Sequence, residues 1–176
     1  MMLETLFYTA GGIALFSTLQ ALSRSNAAHA LIYLIVSLLA VAVMFYLMGA
    51  PFAAALEIVV YAGAIMVLFV FVIMMLNLGE SGDRRERQWL QPRVWIGPAF
   101  LASVLLLELL AVEMTIVGET SGREVPPKEV GMTLFGPYVL AVEIASLLLL
   151  AGLVGAYHVG RRFIVRGPSQ PKRVER

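Results

Sequence analysis

The sequence predicts an all-α integral membrane protein with five transmembrane helices. Of its 176 residues, 60% are hydrophobic and only 14% are charged, and the apolar residues stand in long blocks. Soluble domains carry about 25% charged residues, and a chain of this length cannot bury so much apolar surface within itself. The solvent for this surface must therefore be lipid, which excludes a soluble enzyme.

Each apolar block is long enough to cross the hydrocarbon core as a helix, which takes about 20 residues. Five single strands could not close a barrel, and open sheet edges are not tolerated in lipid. The first block has neither a basic segment before it nor a clear cleavage site after it, so we expect a retained helix. The blocks cover approximately residues 3–22, 28–48, 52–78, 94–117 and 138–159.

The connections between the blocks differ in length and charge. The tight turn at residues 49–51 makes the second and third helices antiparallel neighbours, whereas residues 79–93 and 118–137 form longer loops. We expect a single five-helix transmembrane domain over residues 1–160 and an irregular basic tail over residues 161–176.

Lysine and arginine lie almost entirely on one side of this topology. The amino-terminal side holds only Arg123 and Lys128, and the opposite side holds the other 11 of the 13 basic residues (13 − 2 = 11). Because basic residues concentrate on the cytoplasmic side, we expect the amino terminus outside and the carboxyl terminus in the cytoplasm.

Several kinds of chemical site are excluded by composition. The chain has no cysteine, which excludes thiolate-held iron–sulfur clusters, disulfides and cysteine-bound zinc. It has only two histidines, and it has no phosphate-binding glycine loop, zinc motif or nucleophile triad. We therefore expect no cofactor, no metal and no catalytic residue within this chain.

Carboxylates inside the apolar blocks are the first candidates for function, because a charge at membrane depth costs a few kcal/mol or more. Glu57 and Glu113 lie close enough to the interface to reach headgroups or water. Glu108 and Glu143 lie deeper, where each is either a proton-path residue or paired with a polar group of a neighbouring subunit. Glu57, Glu108 and Glu143 are our candidates for a proton path.

The third block contains an unusual run, Tyr61, Ala62, Gly63 and Ala64. Small residues allow a neighbouring helix to approach closely, and the tyrosine hydroxyl needs a hydrogen-bond partner. The run is compatible with a close-packing site. It is also compatible with a π-bulge, in which one extra residue enters the helix, and such bulges occur often at functional sites.

Residues 47–77, LMGAPFAAALEIVVYAGAIMVLFVFVIMMLN, resemble the J subunits of bacterial respiratory complex I, a family that includes chain 6 of mitochondrial NADH dehydrogenase. Residues 24–31, RSNAAHAL, are similar to the family's entry to helix two, with Ala27 where the family usually has proline. This departure affects the rigidity of the turn and leaves the resemblance intact.

The resemblance implies a membrane-arm subunit of proton-pumping NADH:quinone oxidoreductase in the cell inner membrane. FMN, iron–sulfur clusters and quinone would belong to the complex and not to this chain. Its partners would be the A, K, H and N-type membrane chains and the lipid bilayer, without nucleic acid. The third helix would carry the π-bulge at Tyr61–Ala64, which makes or breaks a water path between the quinone site and the pump modules.

Two other functions remain open from the sequence. An independent channel or ion transporter is disfavoured because the chain has an odd number of helices and no internal repeat. A purely structural or assembly subunit, with no part in coupling, is equally compatible with the sequence.

Overall fold

A computed structural model describes residues 2–76, 92–116 and 124–164 of the protein. Every regular element in these residues is a helix. The α-helices are α1 (Met2–Ser23), α2 (Ala27–Leu47), α3 (Pro51–Leu56), α4 (Met66–Leu76), α5 (Pro92–Ile116), α6 (Pro127–Leu134) and α7 (Val139–Ile164), and a π-helix, π1 (Glu57–Ile65), joins α3 to α4.

Among the residues that the structure describes, five helical spans are long and apolar enough to cross a membrane, which confirms the predicted all-α membrane fold. The third of them is continuous through α3, π1 and α4, and we call it the third span. The five are Leu3–Ser23, Ala27–Leu47, Pro51–Met75, Trp95–Val112 and Val139–Arg161.

The region between the fourth and fifth spans differs from its prediction as a loop, because it contains the helix α6. Pro127 stands at the first helical position, where its missing N–H costs nothing. Glu129 lies in the first turn, where the helix dipole favours an acidic side chain. Helix α7 continues to Ile164, beyond the predicted end at Val159, and residues 165–176 of the basic tail lie outside the described residues.

The chain divides into two compact units, Met1–Pro126 and Pro127–Arg176, and each is described by itself. The first unit contains the first four spans, and the second contains α6 and α7. A single domain over residues 1–160 stays a prediction.

Helix α2 is the centre of the first unit. It packs along α1 and also contacts α5 and all three parts of the third span. The core between α1, α2 and α5 is formed by Ile13, Ala14, Val36, Ala40 and Leu105. The small alanines at this contact let the helix backbones approach closely, as is common in membrane bundles.

Hydrogen bonds from two hydroxyl groups join α1 to α2 near the middle of both helices. Ser37 Oγ donates to the carbonyl oxygen of Ala14 at 3.0 Å, and Thr18 Oγ1 donates to the same oxygen at 2.9 Å. The two hydroxyl oxygens are 2.8 Å apart. Both hydroxyls are thereby satisfied between the helices, since lipid offers them no partner.

Tyr33 lies where α1, α2 and α5 meet. Its side chain is buried, and the guanidinium of Arg24 lies over its ring, 5.2 Å from the ring centroid. Gly97 of α5 lies directly against the tyrosine hydroxyl, and a Cβ added at this glycine would overlap the hydroxyl oxygen. The absence of a side chain at Gly97 therefore fixes how closely α5 approaches α2.

We expect Gly97→Ala to destabilise the helix contact, because overpacking a close contact costs about 1–3 kcal/mol. The measurement is the midpoint temperature of unfolding of the purified protein in mild detergent. Gly12→Ala is the matched control, since it brings the same gain in helix propensity and its added Cβ meets no atom within 4 Å. Equal midpoints for the two variants would contradict the proposed contact, and Tyr33→Phe should partly restore the Gly97→Ala variant.

Candidate functional site

The candidate site is the π-helix π1 in the middle of the third span. π-Helices are rare and usually last a single turn, and they occur often at functional sites. The predicted π-bulge is confirmed, and it is longer than expected. It includes Tyr61, Ala62, Gly63 and Ala64 and extends from Glu57 to Ile65.

The backbone hydrogen bonds show where the helical register changes. At the entry to π1, the N–H of Glu57 donates to the carbonyl of Ala53, four residues before it. At the exit, the N–H of Met66 is shared between the carbonyl of Gly63, three residues before it, and the carbonyl of Tyr61, five residues before it. One extra residue is accommodated between these points, and on a helix of 3.6 residues per turn it rotates all following side chains by about 100°.

Gly63 explains why the wider register is possible at this position. A Cβ added to Gly63 would lie 3.1 Å from the carbonyl oxygen of Ile58. Ile58 is five residues before Gly63, so this carbonyl is the acceptor that a π-helical hydrogen bond from Gly63 would use. Glycine avoids crowding against that oxygen, whereas alanine would press on it.

Tyr61 presents its side chain away from the helix contacts of the first unit. It is 51% exposed, and its hydroxyl makes no hydrogen bond to any residue that the structure describes. A phenolic hydroxyl at membrane depth needs a partner. The geometry therefore leaves Tyr61 available to water or to a polar group of another chain.

The three candidate carboxylates differ in their surroundings. Glu57 is partly exposed at the start of π1, and π1 packs against α2. Glu108 is buried on α5, and its Oε1 lies at hydrogen-bond distance, 2.8 Å, from Oγ1 of Thr9 on α1. Glu143 belongs to the second unit, where its side chain is exposed and its carbonyl accepts a hydrogen bond from Ser146.

Sequence reasoning missed the partners of two buried polar groups. Thr9 was hidden within the first apolar block, although a threonine in a transmembrane segment commonly bonds to a neighbouring helix. The contact of Gly97 with Tyr33 had no sequence signal beyond the glycine itself. In the described ranges, no group of three or more histidine, cysteine, aspartate or glutamate residues is placed to hold a metal ion.

Comparison with known proteins places this sequence in a family. Residues 17–159 match the family described as NADH-ubiquinone/plastoquinone oxidoreductase chain 6. NADH-quinone oxidoreductase subunit J of Escherichia coli is 57% identical over 160 residues, which cover 90% of this chain and 87% of that protein. The subunit J of Pseudomonas aeruginosa is 57% identical over 162 residues, which cover 91% of this chain and 98% of that protein. The subunit J of Buchnera aphidicola subsp. Schizaphis graminum is 49% identical over 160 residues, which cover 90% of this chain and 98% of that protein.

We expect Gly63→Ala to shift π1 towards the α-helical register, because the added methyl group crowds the Ile58 carbonyl only in the wide register. The shift would rotate Met66, which is buried, towards lipid. The chain has no cysteine, so Met66→Cys gives it a single site for a nitroxide label. The label's accessibility to oxygen dissolved in the bilayer, measured by electron paramagnetic resonance, should rise in Gly63→Ala. An accessibility equal to that in a Gly12→Ala background would show that Gly63 does not set the register.

Proposed function

The chain belongs to the NADH-ubiquinone/plastoquinone oxidoreductase chain 6 family, and we propose that it is a membrane-arm subunit of a proton-pumping NADH:quinone oxidoreductase. Within this complex, π1 lines or gates the water path that couples quinone reduction to proton translocation. The single observation that carries the proposal is the change of hydrogen-bond register between Glu57 and Met66.

Membership of the complex is supported by the extent of the family match. The relatives named as subunit J align over about nine-tenths of this chain, and the chain covers 87–98% of their length. The full sequence has no cysteine, so it offers no thiolate to an iron–sulfur cluster. We propose that FMN, the clusters and the quinone site belong to other subunits, and that this chain acts through the shape of its helices.

The gating role is supported by the chemistry of π1. A segment with one extra residue in a π-helical turn can change to the regular α-helical register. This change rotates the side chains that follow it by about 100°. Tyr61 is the polar side chain at the centre of π1, and its hydroxyl can complete or interrupt a chain of water molecules. Rotation beside a fixed neighbour would then open and close the path.

Partners and orientation follow from the same proposal. The exposed apolar surface of the third span would pack against other membrane subunits, which we propose to be the A, K, H and N-type chains, and against lipid. The five spans in the described residues, an odd number, support termini on opposite sides of the cell inner membrane. The strong excess of basic residues on one side supports an amino terminus outside and a carboxyl terminus in the cytoplasm.

Two of the carboxylates fit this path as proton-carrying groups. Glu57 is the first residue of π1, so a change of register alters its position relative to Tyr61. Glu143 lies exposed within the fifth span, and a carboxylate at that depth needs water or a polar partner from a neighbouring subunit. We propose that both meet such groups in the assembled complex.

Two variants in the assembled complex test the gate. We expect Tyr61→Phe and Gly63→Leu to lower both NADH-driven quinone reduction and proton uptake several-fold in inverted membrane vesicles, because each disturbs the water path. The leucine variant should have the larger effect, since its side chain also crowds the Ile58 carbonyl. Gly12→Ala on α1, whose added Cβ meets no atom within 4 Å, is the control.

The amount of assembled complex, measured by native gel electrophoresis, separates gating from assembly. Normal assembly with normal turnover and pumping in both variants would reject the gate and leave a structural role. A chain purified without any redox-active partners would reject membership of the complex.

A further inference from the structure

The first unit buries a carboxyl group at a contact that has no part in π1. Glu108 of α5 is only 6% exposed, between Leu105 one turn before it and Val112 one turn after it, which are also buried. Its Oε1 lies 2.8 Å from Oγ1 of Thr9 on α1. Its Oε2 is buried and has no hydrogen-bond partner among the residues that the structure describes.

The Thr9 hydroxyl lies within hydrogen-bond distance of two oxygen atoms but has one hydrogen. Oγ1 is 2.8 Å from the carbonyl oxygen of Leu6 and 2.8 Å from Oε1 of Glu108. A carbonyl oxygen and a carboxylate oxygen can only accept, and a hydroxyl can donate one hydrogen bond while accepting others. Unless that one hydrogen is shared between two acceptors, both contacts are hydrogen bonds at the same time when Glu108 carries a proton and donates it to Thr9.

Among the residues that the structure describes, no lysine or arginine forms an ion pair with Glu108. Helices α1 and α2, which pack against α5, contain no lysine or arginine, and the basic residue of α5 is Arg93, near its opposite end. His29 and Arg24 lie at the end of α1 and α2 that is remote from Thr9. The other titratable groups on the packed helices are Glu4 and Tyr8 of α1, Tyr33 and Tyr46 of α2 and Glu113 of α5.

The orphaned Oε2 agrees with a neutral acid. In a carboxylate, both oxygens share the negative charge, and burying either one without a donor is costly. In a carboxylic acid protonated on Oε1, the other oxygen is a neutral carbonyl oxygen, which tolerates the lack of a donor much better. Burial, the lack of lysine and arginine on the packed helices and the geometry at Thr9 favour the neutral acid, and they oppose the backbone N–H of Ala10, which also lies against the carboxyl group.

We propose that Glu108 and Thr9 form a buried proton-binding site between α1 and α5. The proton resides on Oε1 of Glu108, which donates to Oγ1 of Thr9, and Thr9 in turn donates to the carbonyl of Leu6. When water accepts the proton as hydronium, the O–H bond of Glu108 breaks and the Thr9 hydroxyl turns from Leu6 to the carboxylate. The direction of one hydrogen bond therefore reports whether the site is occupied.

This site is independent of the gate proposed for π1, because it depends only on α1 and α5. Its test uses infrared difference spectra of the purified complex in lipid at neutral pH. We expect wild type minus Glu108→Gln to contain the carbonyl band of one protonated carboxylic acid. Glutamine keeps the shape of the side chain and can still donate to Thr9, so the variant should assemble.

The Thr9 variants test the hydrogen bond itself. Thr9→Val removes the acceptor while keeping the shape of the side chain, so the carbonyl band of Glu108 should move to higher frequency. Thr9→Ser should leave the band in place, and so should Ser103→Ala, which removes an exposed hydroxyl from α5. If Glu108→Gln does not assemble, the Thr9→Val spectrum still provides the test.

Two results would overturn the proposal. Loss of carboxylate bands without loss of a carboxylic acid band in Glu108→Gln would mean that the group is ionised. An unchanged band in Thr9→Val would mean that Thr9 does not accept the proton of Glu108. A normal pumping rate in these variants would show that turnover does not use the site, and would leave its protonation state unaffected. Changed quinone reduction or proton uptake in the Tyr61 variants would concern only the gate.

Discussion

The constraint on which this fold depends is that lipid offers no hydrogen bonds to the backbone. Each span must satisfy its own N–H and C=O groups, and any irregularity must keep them paired. The third span meets this demand with an unusual solution, since Glu57 bonds four residues back and Met66 bonds five residues back. An extra residue enters without leaving a break in the helix, and the same pairing demand would be met after a return to the regular register.

The second consequence of the lipid solvent is that a buried polar side chain is stabilised by a hydrogen-bond partner within the protein. The hydroxyls of Ser37 and Thr18 both donate to the carbonyl oxygen of Ala14, and Thr9 forms a hydrogen bond with Glu108. These contacts join α1 to α2 and to α5, whereas π1 packs on α2. The first unit therefore combines a helix contact fixed by hydroxyl groups with a span whose register can vary, and α2 contacts both.

The five spans were predictable because hydrophobicity over about 20 residues directly reflects the thickness of the bilayer. The run from Tyr61 to Ala64 located the π-helix, but residue types could not give its full extent, because the register depends on backbone pairing from Ala53 to Met66. Helix α6 was missed because its eight residues are too few for a span and stand among prolines and glycines, which favour a loop. The partner of Glu108 was missed because sequence spacing does not tell which helices face each other.

The most direct test of the central claim is the register of residues 57–65 in the assembled complex, determined by cryo-electron microscopy at rest and during NADH oxidation. The account predicts two classes of particles, one with the N–H of Met66 bonded to Tyr61 and one with it bonded to Ala62, in proportions that change on turnover. A single register in all particles under both conditions would contradict the gate and leave π1 as a fixed packing feature.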